Sequence, residues 1–155
     1  MKSCFFLSGI LLLMICTLCE AQSETIIKLK TETGTIEGSL LAPNGKEKGP
    51  AALIIAGSGP VDRDGNLPGM TNNSLKMLGI ELLKSGIATL RYDKRGVGKS
   101  INAGSKEEDL RFEHYIADAE DWIRQLADDD RFSSIFVIGH SEGALLGMIA
   151  SQGKM

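Results

Sequence analysis

Cysteine is almost absent from this chain. Its three cysteines, Cys4, Cys16 and Cys19, all lie near the amino terminus, and no cysteine follows them. Because we predict that this end is removed, the mature protein would contain neither a disulfide framework nor a thiolate nucleophile.

Runs of basic residues and basic–aromatic interleaving are also missing. The 155-residue chain carries 17 Lys and Arg against 20 Asp and Glu, for a net charge of −3. This balance argues against nucleic acid as a partner. What is present, 43% hydrophobic and 24% charged residues, predicts one soluble globular domain that is long enough to bury a core.

The first 21 residues have the pattern of an export signal. Lys2 supplies a positive charge, residues 4–18 are almost continuously apolar, and small Ala21 closes the segment. We predict that residues 1–21 form a signal peptide and that residues 22–155 are exported to the bacterial periplasm or the extracellular space. The apolar run is shorter than the roughly 20 residues that span a bilayer. Because the polar chain after it offers no second span, no stable membrane span is expected after cleavage.

Two other interpretations of this segment remain open. The segment could be retained as a membrane anchor, or Cys19 could be lipid-modified. Leu18 argues against the lipoprotein, because bacterial lipoprotein signals usually place Gly, Ala or Ser before the modified cysteine.

The first part of the folded region predicts an edge hairpin followed by a parallel crossover. Residues 26–30 and 36–41 alternate as two antiparallel strands joined by a turn. Residues 51–56 and 87–90 are apolar on both faces, as in strands buried between helix layers. The helix between them is predicted to be capped at Asn72 or Asn73 and to stop at Gly86, with an apolar face that includes Leu75, Leu78, Ile80, Leu82 and Leu83.

The second part predicts another helix and another strand. Residues 101–109 are polar and contain glycine, which is typical of a mobile loop. Apolar residues then recur at helical spacing between residues 112 and 126, with Trp122 at the border of the apolar face. Residues 135–138 are apolar on both faces and predict a central strand with neighbours on each side.

The turn after that strand carries the strongest chemical motif. Residues 139–143 fit Gly-x-Ser-x-Gly between a strand and a helix, the context of a nucleophile elbow. Gly139 and Gly143 avoid collisions in so tight a turn, and the helix N-terminus that follows favours a developing negative charge. We therefore predict Ser141 as the nucleophile, the alternative being an incidental serine in a glycine-rich turn.

Three motifs in order give the chain a resemblance to the α/β-hydrolase superfamily. They are Gly-Ser-Gly-Pro at residues 57–60, Asp-Lys-Arg-Gly-Val-Gly at residues 93–98, and the elbow. The chain looks most like secreted bacterial serine esterases and the related serine-aminopeptidase-like branch, from about residue 26 to its last residue. The resemblance implies an α/β fold with a mostly parallel sheet flanked by helices, here truncated after the nucleophile elbow.

The resemblance also implies roles for particular residues. The backbone N–H groups of Ser58 and Glu142 would form the oxyanion hole. Asp93 and Arg95 would brace the floor of the active site, with substrate contact as their alternative role. Ala56 stands where most relatives have a histidine, which changes the loop but not the donors.

Two further stretches resemble ligand-binding motifs but lack residues that those motifs require. Gly98-Lys99-Ser100 resembles the end of a phosphate-binding loop, but Asp93 stands where the first glycine is needed. The spacing of Asp62, Asp64 and Asn66 resembles a calcium loop that lacks its required glycine and final glutamate; pairing of the two aspartates with Arg63, or capping of loop N–H groups, is the expected alternative. No metal and no cofactor are implied.

The partners of the nucleophile are missing from the sequence. In this superfamily an acidic residue and then a histidine follow the serine. Only fourteen residues follow Ser141, with no histidine and no acid except Glu142, while His140 and His114 are badly placed to serve as the base. We expect the chain to be the amino-terminal part of a longer enzyme, inactive or weakly active by itself.

These observations predict a serine hydrolase. It would cleave small-molecule carboxylic esters through an acyl-enzyme on Ser141. An aminopeptidase or amide hydrolase of the same fold is one alternative. A binding protein that kept the fold and lost catalysis is the other.

Overall fold

The computed structural model describes residues 23–45, 48–104 and 106–153. The predicted signal peptide lies outside these residues and stays a prediction. Among the described helices, none combines the length and apolarity that crossing a membrane requires.

The described residues form one five-stranded mixed sheet. Its strands are β1 (Ser23–Thr31), β2 (Gly34–Ala42), β3 (Gly49–Ile55), β4 (Ala88–Tyr92) and β5 (Phe132–Gly139), in the spatial order β1-β2-β4-β3-β5. The β1/β2 and β2/β4 pairs are antiparallel, whereas β3 pairs in parallel with both β4 and β5. The predicted edge hairpin and parallel crossover are confirmed.

Helices cover both faces of this sheet. They are α1 (Ser74–Lys84), α2 (Phe112–Ala127) and α3 (Glu142–Ala150). In β3, Leu53 packs in the core that includes residues of α2 and α3, whereas Ile54 packs in the cluster that includes Leu75 of α1. Because successive strand residues point to opposite faces, α1 lies across the sheet from α2 and α3.

The start of α1 differs in detail from its prediction. Asn73 precedes the helix in a left-handed conformation (φ 53°) and makes no capping bond, while the side chain of Asn72 accepts the N–H of Ser74 at 2.9 Å. The apolar face is narrower than expected, since Leu75 and Leu83 are buried but Leu78 is 37% exposed.

Trp122 was wrongly predicted at the border of its helix. Its side chain is fully buried, and its ring centroid lies 5.8 Å from that of Tyr92. Together with Ala119, Ile123 and Leu126 it follows the spacing i, i+3, i+4 and i+7, which places it within the apolar stripe.

The predicted loop at residues 101–109 is partly ordered as two 3₁₀ turns, Gly98–Ala103 and Glu107–Asp109. Ser100 and Ala103 are buried, and the hydroxyl of Ser100 accepts the N–H of Glu37 at 2.9 Å. Contacts with the β1–β2 hairpin therefore order the first of these turns, although its local sequence favours a loop.

Candidate active site

Ser141 occupies a strained turn between β5 and α3. Its backbone angles are φ 54° and ψ −119°, a region that side-chain-bearing residues rarely adopt. A Cβ on Gly139 would collide with the backbone of Gly143 and Ala144, and one on Gly143 would lie 2.6 Å from the carbonyl oxygen of Ala56. Only glycine fits at both positions, and the packing around them holds the serine in its strained conformation.

The loop after β3 lies directly against this turn. The N–H of His140 donates to the carbonyl oxygen of Ile55 at 3.0 Å, which ties the turn to the end of β3. A Cβ on Gly57 would lie 3.4 Å from the Cβ of Ser141. The structure thus brings together two motifs that are more than eighty residues apart in the sequence.

Two backbone N–H groups near Ser141 are available to a ligand. Neither the N–H of Ser58, in the loop, nor that of Glu142 donates to an acceptor among the described residues. Glu142 begins α3, where N–H groups have no acceptor within the helix. These are the donors that the sequence predicts for an oxyanion.

The neighbours of Ser141 line two separate clefts. Glu142 lines a cleft of about 680 Å³ that also includes Lys94 and Arg111 and the apolar side chains of Leu110 and Phe112. His140 lines a cleft of about 530 Å³ with Gly57 and residues of α1. Ser141 itself lines neither of these two clefts.

Sequence reasoning missed Lys94 as a residue of this site. Its side chain is 4% exposed, its ammonium donates to the carbonyl oxygen of Gly57, and it lies 3.4 Å from a carboxylate oxygen of Glu142. The ammonium also lies 5.7 Å from the ring centroid of Tyr115. Burial lowers the pKa of Lys94, and the charge of Glu142 opposes that effect. The only sequence signal was its position between Asp93 and Arg95, which does not reveal burial.

Asp93 connects the loop after β3 to the loop after β4 through buried contacts. Its carboxylate accepts the backbone N–H of Arg63 at 2.7 Å, the guanidinium of Arg63 at 2.8 Å, and the N–H of Lys99 at 2.8 Å. Of the two alternatives expected for Asp62 and Asp64, pairing with Arg63 is not observed, whereas capping of loop N–H groups is, by Asp62. Arg63 pairs instead with Asp93 and Glu37.

Arg95 is joined to α2. Two of its nitrogens donate to the two oxygens of Asp118 at 2.6 Å each, and Asp118 is 1% exposed. Burial raises the pKa of Asp118, while the hydrogen bonds and charge of Arg95 oppose the rise. These contacts, like those of Asp93, are consistent with a bracing role.

The two histidines make no contact that would activate Ser141. His114 is exposed and its Nδ1 accepts the N–H of Arg111 at 3.2 Å. Within the described ranges, no carboxylate or imidazole is hydrogen-bonded to the hydroxyl of Ser141.

Of the two carboxylates in the acidic loop after β3, that of Asp64 pairs with the buried guanidinium of Arg91 in β4, whereas that of Asp62 is used within the loop. Asp62 accepts the N–H groups of Asp64 and Asn66 at 2.9 and 2.8 Å, which stabilises a local turn. The described residues contain no group of three or more His, Cys, Asp or Glu arranged to hold a metal ion.

Comparisons with known proteins agree with this geometry. Residues 68–153 match the sequence model of the family described as "Serine aminopeptidase, S33". Esterase EstD of Thermotoga maritima is 30% identical over 111 residues, which are 72% of this chain and 26% of that protein.

Solved structures show the same fold. The α/β hydrolase GrgF from Penicillium sp. sh18 superposes with a TM-score of 0.69 at 19% identity, over 85% of this chain and 42% of its own. A cold-adapted esterase from an Arctic intertidal metagenomic library gives 0.63 at 17% identity, over 84% and 56%. The α/β-hydrolase fold is confirmed, and the chain spans about a quarter of the curated relative and about half of these structures.

Proposed function

The chain belongs to the serine aminopeptidase family of α/β hydrolases, and from this premise we propose that it carries the nucleophile and oxyanion hole of an exported esterase. The observation that carries the proposal is the strained turn at Ser141, which lies beside the N–H groups of Ser58 and Glu142. Strain at a non-glycine residue persists where surrounding structure enforces it, and such residues cluster at active sites.

The proposed reaction is acyl transfer to water. The hydroxyl oxygen of Ser141 attacks the ester carbonyl carbon while a general base takes its proton, and the carbonyl electron pair moves onto the oxygen. The N–H groups of Ser58 and Glu142 form the oxyanion hole and donate hydrogen bonds to this oxygen. Collapse expels the alcohol, which receives the proton, and water then releases the acid by the same steps.

The base and its orienting acid are proposed to come from outside the described residues. His140 and His114 make no bond to Ser141, and the relatives named above are longer than this chain. We propose that residues 22–155 form the amino-terminal part of the hydrolase domain and that residues 1–21 direct its export.

Ester cleavage is favoured over aminopeptidase activity by the charges of the larger cleft. A substrate ammonium group would need an unpaired carboxylate, but Glu142 lies 3.4 Å from the ammonium of Lys94. Arg111 adds further positive charge to the lining, whereas the charge of Arg95 is paired with Asp118. Similarity to an esterase supports the same choice.

The test uses the complete protein that contains this sequence. We expect a fluorophosphonate to label it covalently, with labelling lost in Ser141→Ala and retained in Ser133→Ala, which changes an exposed serine of β5. p-Nitrophenyl esters of increasing acyl length should be cleaved faster than aminoacyl p-nitroanilides. A folded protein that resists labelling would instead support the non-catalytic binding protein, and faster cleavage of the anilides would support an aminopeptidase.

A further inference from the structure

Lys94 is a buried cation whose main partner is a peptide group. Burying an ammonium ion is costly unless it is paired and hydrogen-bonded. Glu142 lies 3.4 Å away and its side chain is 36% exposed, so it compensates the charge only in part. The hydrogen bond to the carbonyl oxygen of Gly57 is the closer contact.

That carbonyl belongs to the same peptide group as the N–H of Ser58. The described residues contain no cis peptide bond, and in a planar trans peptide the C=O and N–H point in opposite directions. A donor fixed on the Gly57 oxygen therefore fixes the direction of the Ser58 N–H. A positive charge there also polarises the peptide, because linked hydrogen bonds strengthen one another.

The peptide in question lies beside the reacting serine. Gly57 approaches Ser141 so closely that a Cβ on it would contact the serine Cβ at 3.4 Å. The same ammonium also faces the side chain of Glu142, whose N–H is the second donor. One cation thus donates to the peptide group that carries the Ser58 N–H and lies 3.4 Å from the side chain of Glu142, which carries the second N–H.

We propose that Lys94 is a positioning residue that orients and polarises the Gly57–Ser58 peptide, and thereby strengthens the Ser58 N–H as an oxyanion donor. The inference rests on the proposed function, because it requires an oxyanion at Ser141. It assigns Lys94 a role that acts through the peptide, without contact with the substrate.

The experiment compares three variants of the complete protein. Lys94→Met keeps an apolar stem without the cation, Lys94→Gln keeps a neutral donor, and Lys84→Met removes an exposed lysine of α1 paired with Glu81 as the control. The readouts are kcat and KM for a p-nitrophenyl ester, Ki for a trifluoromethyl ketone that forms a tetrahedral adduct with the serine, and the melting temperature.

We expect Lys94→Met to lower kcat about 10- to 100-fold, less than the 10²–10³-fold typical of a deleted oxyanion donor, with KM changed by less than about threefold. Ki should rise by the same factor as kcat/KM falls, and Lys94→Gln should be intermediate. The melting temperature should change little, because removing the buried ammonium relieves the cost of burying its charge while Glu142, whose side chain is 36% exposed, stays partly solvated; Lys84→Met should match the wild type.

Two results would overturn the inference. One is wild-type kcat and Ki in Lys94→Met. The other is a loss of activity that follows a lower melting temperature without weaker binding of the ketone. Failure of the proposed function is distinguishable, since the wild-type protein would then show no fluorophosphonate labelling that depends on Ser141.

Discussion

The interior strand β3 and the edge strand β5 are built from similar sequences but differ in burial. In β3, residues 51–55 are all buried. The neighbouring residues of β5 pair with them in parallel, with Phe136 beside Ala52 and Val137 beside Leu53. Yet Phe136 is 54% exposed, whereas Leu53 is completely buried.

The difference shows that burial depends on neighbours in space. β3 has a strand on each side, whereas β5 pairs only with β3 among the described residues. On α3, Leu145, Met148 and Ile149 are likewise 38–57% exposed. β5 is therefore an edge strand of the described sheet, and the second neighbour that its two apolar faces indicate stays a prediction.

The largest effect is expected where the two regions meet. Gly143→Ala should destabilise the protein by more than about 4 kcal/mol, because the added Cβ meets the backbone of β3 and cannot be accommodated by side-chain movement. Gly45→Ala is the control, since a Cβ there meets nothing within 4 Å. Urea unfolding measures both, and equal stabilities would contradict the tight junction.

A second pair of variants tests whether the edge is covered in the complete protein. Leu53→Ala should cost roughly 2–5 kcal/mol, the usual range for a fully buried leucine. We expect Phe136→Ala to cost a similar amount, because the proposed longer chain would cover β5. A cost below about 1 kcal/mol for Phe136→Ala would show that β5 remains an exposed edge.

The buried ion pair behind the site should contribute less. Asp118→Asn should cost about 2–3 kcal/mol, below the 3–5 typical of a broken buried pair, because Arg95 keeps the carbonyl of Ala103 as an acceptor. The control is Glu81→Gln, which breaks an exposed pair and should cost less than about 0.5 kcal/mol. Equal costs in thermal unfolding would refute the special role of burial.

The smallest effect concerns the pH dependence set by Lys94, which joins the two regions. Burial lowers the pKa of Lys94 below the ordinary 10.5, and the negative charge of Glu142 of α3 opposes this effect. Tyr115 of α2, Arg95 and Arg111 line the same cleft. Between the folded-state pKa and 10.5 the unfolded chain binds more protons than the folded one. The free energy of unfolding should therefore rise with pH in that window.

Lys94→Met should abolish this rise in stability. It should also weaken any alkaline fall in kcat below pH 10.5, since the ammonium is lost as pH increases through its folded-state pKa. An unchanged pH profile of both quantities would indicate that Lys94 does not titrate in this range.

Much of the fold could be predicted because it follows from local patterns. Alternation and apolar runs located all five strands, and helical spacing located α1 and α2. The same spacing also indicates that Trp122 is buried, but the residue was predicted at the border of the apolar face of its helix. The 3₁₀ turn Gly98–Ala103 could not be predicted in this way, because packing against the β1–β2 hairpin orders it.

The sequence by itself determined the element order and the turn at Ser141, because the sterics that require glycine at Gly139 act against Gly143 and Ala144 in the same turn. Only the tertiary structure decided which charges meet. Lys94 reaches Gly57, and Arg63 pairs with Glu37 and Asp93 instead of its own neighbours. Such contacts join residues far apart in the chain, so they exist only once the strands and loops have packed.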